Sequence, residues 1–164
     1  MVRYLIMDER KTIPEAGKIV IFRDKGCFVC GISNPTGLHL EFQYDREQCR
    51  ASSRATFGEE HQGWDGVVHG GILAAVLDDV MAHAILTTNN LAITTHISVT
   101  YRDAVQVGEE VLLEGVVTEL RPRVARARGV IYSLAEDGSG EMIVRCQAEG
   151  TYYLDAPKES CEPC

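Results

Sequence analysis

Residues His61 to Leu86, HQGWDGVVHGGILAAVLDDVMAHAIL, constrain the chain more than any other stretch. They divide into a glycine-punctuated approach (Gly63, Gly66, Gly70, Gly71) and a run of about four helical turns, apolar on nearly every side but broken by Asp78, Asp79 and His83. A helix that is apolar all round is buried, so another element must wrap it. Asp79 and His83 stand one turn apart on one face and can pair. Asp78 points about 100° away from Asp79, among Ala74, Ala75, Met81 and Ala82. It has no partner within the helix, and a buried carboxylate is rarely left without a partner or a task.

The glycines point to the same chemistry from the helix's other end. Gly70 and Gly71 let another group approach the backbone closely, at the place where the first N–H groups of a helix lack intrahelical acceptors. A carbonyl set against the Gly70, Gly71 and Ile72 amides would be stabilised as it became an oxyanion. Asp78 lies roughly 10–12 Å further along the axis, at 1.5 Å per residue. One small carbonyl cannot touch both within one chain. A site that uses both is expected to be completed by a second copy, whose helix packs alongside.

The 164 residues suffice for one domain with a substantial core. The net charge of −8 argues against general nucleic-acid binding, which needs a basic face. No segment reaches the ~20 apolar residues needed to span a bilayer, and MVRYLIMDERK meets charge too early for a secretory signal. The expectation is a cytoplasmic protein with neither nucleic-acid nor membrane partners. Six cysteines include two C-x-x-C pairs, Cys27/Cys30 and Cys161/Cys164. Two such pairs can form a tetrahedral zinc site, but these lie at opposite ends of the sequence and the second falls in a polar tail. Reduced thiols and no metal are therefore expected, with Cys49 and Cys146 as small core residues inside strands.

Residues 1–26 read as a peripheral segment, 27–155 as the folded domain and 156–164 as a polar tail. The turn signal Asn34-Pro35-Thr36-Gly37 is followed by alternating Leu38, Leu40 and Phe42, which predicts a strand from near Gly37. Residues 49–57 are its predicted hairpin partner. Beyond the helix, strands are predicted over 92–102, 110–120, 124–134 and 141–153, the last after a tight turn at Asp137-Gly138-Ser139-Gly140. One buried helix followed by a meander of long antiparallel strands gives an α+β fold, with a sheet of about five or six strands curled round the helix.

The motif Gly66-Val67-Val68-His69-Gly70-Gly71, with Asp78 nine places after the histidine, resembles the hotdog-fold acyl-CoA thioesterases, in particular the branch of the phenylacetate-pathway thioesterases. ITTHISVTYRDAV, with Thr94 seven residues before Tyr101, and CFVCGISNPTGLHLEF extend the resemblance over about residues 27–153. It implies a hotdog fold, and a dimer or dimer of dimers with shared active sites. It also implies hydrolysis of acyl-CoA, aryl or medium- to long-chain, with no cofactor beyond the coenzyme A of the substrate. Asp78 would be nucleophile or general base, Thr94 would hold the water or orient the carboxylate, and the Gly71 amide would take the thioester carbonyl beside Gly70, with His69 shaping the loop or assisting near the thioester. Many relatives carry Asn or Gln six residues before that histidine. Here Gly63 occupies the position, so the neighbouring Gln62 is the expected stand-in. Asp65 stands where related loops often have proline, and its charge would disfavour an acidic acyl group.

Arg121, Arg123, Arg126 and Arg128 form the one dense basic cluster of an acidic chain. With Arg102, the turn residues Arg121 and Arg123 are candidates for the phosphates of coenzyme A. Trp64 is a candidate for lining the acyl pocket or anchoring the loop. Two alternatives remain at this point, since hotdog folds also carry acyl-CoA hydratases and dehydratases, and non-catalytic acyl-CoA-binding regulators.

Overall fold

A computed structural model describes residues 25–135 and 140–154. The peripheral segment through residue 24, the Asp137–Ser139 part of the predicted turn and the polar tail lie outside these. Among the described residues eight strands and one α-helix follow in order: β1 (Gln43–Asp45), β2 (Arg50–Thr56), β3 (Gln62–Trp64), β4 (Val67–Val68), α1 (Gly70–Leu86), β5 (Ala92–Tyr101), β6 (Glu110–Arg121), β7 (Val124–Leu134) and β8 (Met142–Leu154). Six strands form one antiparallel sheet in the order β1-β2-β6-β7-β8-β5, and β3 pairs with β4 in a separate ribbon. β2, β5, β6, β7 and β8 all contact α1, so the sheet curls round the helix in the hotdog arrangement.

The helix buries Leu73, Val76, Leu77, Val80, Met81, His83, Ala84 and Ile85. This many buried positions on a single helix require contact on several sides, which the curved sheet supplies. The sheet makes room with a row of small side chains crossing it beneath α1. Ala51 stands opposite Gly115, Gly115 opposite Gly129, and Gly129 opposite Ala148. A Cβ added at Gly115 would lie 2.4 Å from the Val80 carbonyl oxygen, and one at Gly129 would lie 3.1 Å from Leu77 Cδ2. The obstacle at Gly115 is helix backbone, which cannot rotate away. Gly115→Ala is therefore expected to destabilise the fold by about 1–3 kcal/mol, the usual cost of overpacking, read as a lower denaturant midpoint at unchanged slope.

Most strand bounds fall within two residues of the sequence expectation. The exception is the segment after Gly37, where regular strand starts only at Gln43. His39 has a left-handed φ of 53°, and Leu38 and Leu40 donate their amides to the Phe28 and Val29 carbonyls at 2.8 and 2.9 Å. The alternating residues thus pair with the turn around Cys27–Cys30 before joining the sheet. The expectation of reduced thiols also needs correction. Cys27, Cys30 and Cys146 are free, whereas Cys49 is disulfide-bonded. Among the described residues no helix is long and apolar enough to cross a membrane.

Candidate active site

Asp78 leaves the buried helix where β5 and β8 run side by side. Thr94 of β5 stands opposite Tyr152 of β8, and both side chains turn toward the helix. Thr94 Oγ1 donates to Asp78 Oδ1 at 2.8 Å, and Tyr152 Oη donates to the same oxygen at 3.0 Å. Both donors fall on one carboxylate oxygen. Oδ2 takes no hydrogen bond from any described residue, so the carboxylate is fixed in orientation with one oxygen left to act. Burial, and then the neighbouring Asp78 charge, push the Tyr152 hydroxyl far above its ordinary range, so it stays a donor at neutral pH. The ring fits because residue 150 is glycine. A Cβ there would meet Tyr152 Cε2 at 2.5 Å.

Tyr152 was not among the residues singled out from sequence. Its signal was present in the alternation of Ala148, Gly150, Tyr152 and Leu154, all buried. What sequence does not give is the register that sets Tyr152 across from Thr94, beside a β5 bulge between Thr94 and His96.

The other end of the helix is built by a histidine cap. His69 is the N-cap residue, and its Nδ1 accepts the Gly71 N–H at 2.9 Å, which puts the proton of the neutral ring on Nε2. The Ile72 amide turns back to the His69 carbonyl at 2.9 Å. Of the three amides picked out by sequence, two are already engaged in the single chain. The Gly70 N–H is left without an acceptor among the described residues. Tyr101, at the far end of β5, braces this point by donating to the Gly70 carbonyl oxygen at 2.8 Å, with its ring 3.3 Å from where a Gly70 Cβ would stand.

The remaining candidates spread over the surface. Gln62 Oε1 accepts the Gly66 N–H at 3.2 Å and so closes the β3–β4 turn. Gly63 is fitted to its place, because a Cβ there would lie 2.9 Å from the His69 ring. Trp64 is 84% exposed and Asp65 is exposed beside it. In the single chain the tryptophan side chain faces solvent, on a strand that pairs with Val67 of β4. Arg121 pairs with Glu119, which also holds Arg126 at 3.4 Å. Arg123 is exposed, and its carbonyl takes the Leu154 amide at 3.0 Å, which puts the β6–β7 hairpin at the Thr94 end of the sheet. Arg102 is exposed at the Gly70 end, next to Tyr101.

Residues 65–138 match the thioesterase superfamily model, a span that holds His69, Gly70, Asp78, Thr94 and Tyr101. No curated protein sequence matches the chain. Among solved structures, a thioesterase superfamily protein is 23% identical with a TM-score of 0.66. The match covers 76% of this chain and 61% of that one, so this chain spans less than two thirds of that relative's length. A phenylacetic acid degradation-related protein of Ralstonia eutropha JMP134 is 21% identical with a TM-score of 0.60, covering 71% of this chain and 85% of that one. A Streptococcus mutans UA159 protein bound to acetyl-CoA is 13% identical with a TM-score of 0.63, covering 73% and 91%. At these identities the structural likenesses establish the fold.

Proposed function

We propose that this chain, whose residues 65–138 form a thioesterase-superfamily segment within a hotdog fold, hydrolyses acyl-CoA thioesters to the free acid and coenzyme A. The observation that carries the reading is Asp78, with Oδ1 held by Thr94 and Tyr152 and Oδ2 free. A carboxylate so oriented can attack the thioester carbonyl, or take a proton from water as water attacks. Charge then develops on the carbonyl oxygen and is met by the open Gly70 amide at the helix N-terminus, beside the Gly71 amide that His69 caps.

Gly70 and Asp78 of one helix are eight residues, roughly 12 Å, apart. A working site therefore takes its amide from one copy and its carboxylate from another. β5 suits that role. It is the edge of the sheet, ten residues long, and its Ile93 and Tyr101 are 43% and 51% exposed. A long edge strand of this kind invites pairing with another chain. In a dimer joined there, the exposed Trp64 can meet the acyl group or the second copy, and Arg102, Arg121 and Arg123 are available to the phosphates of coenzyme A. The acetyl-CoA held by the Streptococcus mutans relative supports the ligand class.

A hydratase reading is less well supported, because His69 Nδ1 is committed to capping the helix and leaves only Nε2 for proton transfer. The test is turnover of a panel of acyl-CoAs, aromatic and straight-chain, by the full chain. The chain's own free cysteines would consume a thiol reagent, so product should be followed chromatographically. Turnover of at least one chain class is expected. Tight binding without turnover across the panel would sink the hydrolase reading and favour a regulator, and hydration of an enoyl-CoA in its place would favour the hydratase.

A further inference from the structure

The C-x-x-C pair Cys27/Cys30 does not need the second pair to make a metal site, because the fold brings it against the other face of α1. The geometry points to a structural zinc site formed by Cys27 Sγ, Cys30 Sγ, an Asp79 carboxylate oxygen and His83 Nε2. It is independent of the hydrolytic reading.

Cys27, Cys30 and Asp79 each offer a ligand atom within 4.8 Å of the others. His83 Nε2 adds a fourth, 3.4 Å from Cys30 Sγ and 3.5 Å from Asp79 Oδ2, and Cys27 Sγ lies 3.7 Å from Asp79 Oδ1. Zinc bonds of 2.0–2.3 Å in a tetrahedron put neighbouring ligand atoms about 3.3–3.8 Å apart. These three separations fall in that interval, but Asp79 meets Cys27 with Oδ1 and His83 with Oδ2, so closing on an ion requires the carboxylate to turn one oxygen inward and the His83 ring to draw in toward Cys27.

The surroundings fit the same assignment. His83 is 3% exposed, stacks on Phe42 with ring centroids 4.1 Å apart, and has its Nδ1 2.7 Å from Tyr44 Oη. Tyr44 Oη can accept a proton from Nδ1–H, and that tautomer, the one a ligating histidine requires, turns the Nε2 lone pair toward Cys30 Sγ. Asp79 Oδ2 is buried and has no hydrogen-bond partner, so a charged acceptor is held ready without a donor. The cysteine turn is itself shaped for sulfur ligation. The Val29 amide donates to Cys27 Sγ at 3.3 Å, Gly31 N–H closes on the Cys27 carbonyl at 3.0 Å, and a Cβ at Gly31 would strike that carbonyl oxygen at 2.4 Å. Two thiolates, one carboxylate and a neutral imidazole leave a single negative charge around a divalent ion, as in Cys₃His zinc sites. Two sulfurs with one nitrogen and one oxygen also suit zinc better than the hard cations. The ion would fasten the segment around residues 25–31 to the helix one residue from Asp78.

The full chain, produced with zinc and dialysed against metal-free buffer, is expected to retain one zinc per chain by mass spectrometry of the metal. Cobalt(II) in its place is expected to give the strong visible bands of a tetrahedral ion, with thiolate charge transfer in the near ultraviolet. Cys30→Ser, Asp79→Asn and His83→Ala should each weaken binding about tenfold or more, while the Cys161→Ser/Cys164→Ser double variant keeps the ion and the spectrum. Should a ligand variant fail to fold, the wild-type cobalt spectrum and the double variant decide. A wild-type chain that takes up neither ion after reduction would overturn the assignment, leaving a hydrogen-bonded or redox-active thiol pair. Loss of the ion in the double variant would overturn it as well, in favour of a site that uses the C-terminal cysteines.

Discussion

Asp78→Asn is expected to lower acyl-CoA hydrolysis by ~100-fold or more, the scale on which a positioned general base contributes, without changing the fold. Asparagine keeps the shape and can still accept from Thr94 and Tyr152 through its amide oxygen, so the two contacts to Asp78 Oδ1 survive in form. What is lost is the second oxygen's charge, which either attacks the carbonyl or takes the proton. The effect should therefore appear in kcat, with KM little changed and the thermal midpoint close to that of the parent. Thr94→Ala and Tyr152→Phe remove one donor each. A hydrogen bond to a charged group is worth about 1.5–3 kcal/mol, so each should cost roughly tenfold or more and the pair should not be additive, because both act on one oxygen. A change of less than about tenfold in Asp78→Asn would remove the carboxylate from the chemistry, whatever the folded state of the variant.

The separation of Asp78 from Asp79 was legible in the sequence because helical periodicity alone places them about 100° apart. Asp79 indeed meets His83 at 3.5 Å on its own face, and Asp78 looks to β5. Long regular elements were legible for the same reason, since α1 and the four strands after it carry their period over ten or more residues. What was not legible depends on register between segments far apart in sequence. Tyr152 reaches Asp78 across 74 positions, and Cys27 reaches Asp79 across 52. Neither contact leaves a local pattern. The left-handed His39 and the two short strands β3 and β4 escaped because their conformation is set by a few backbone hydrogen bonds, with too few residues to show a period.

Leu77→Ala is expected to cost about 2–5 kcal/mol, the range for removing a large side chain from a packed core. Leu77 has no exposed surface and rests on the glycine backbone of β7, where an added Gly129 Cβ would come within 3.1 Å of its Cδ2. Glycine directly beneath leucine offers no side chain of its own to fill the vacated space, which favours the upper part of the range. At about 2–4 °C per kcal/mol for a chain of this size, the thermal midpoint should fall by roughly 5–20 °C. The residue precedes Asp78, so this contact also sets how deep the helix sits, and with it the reach of Asp78 to Thr94 and Tyr152. Stability and activity should nonetheless separate. Below the midpoint the folded fraction should hold its carboxylate by the same two hydrogen bonds and keep kcat within several-fold of the parent, since those bonds come from β5 and β8 and the truncation faces β7. A stable Leu77→Ala protein, shifted by less than about 1 kcal/mol, would mean that the helix settles into the sheet without needing this contact. A loss of kcat as deep as that of Asp78→Asn at full folding would mean instead that helix depth, more than the two donors, positions the carboxylate.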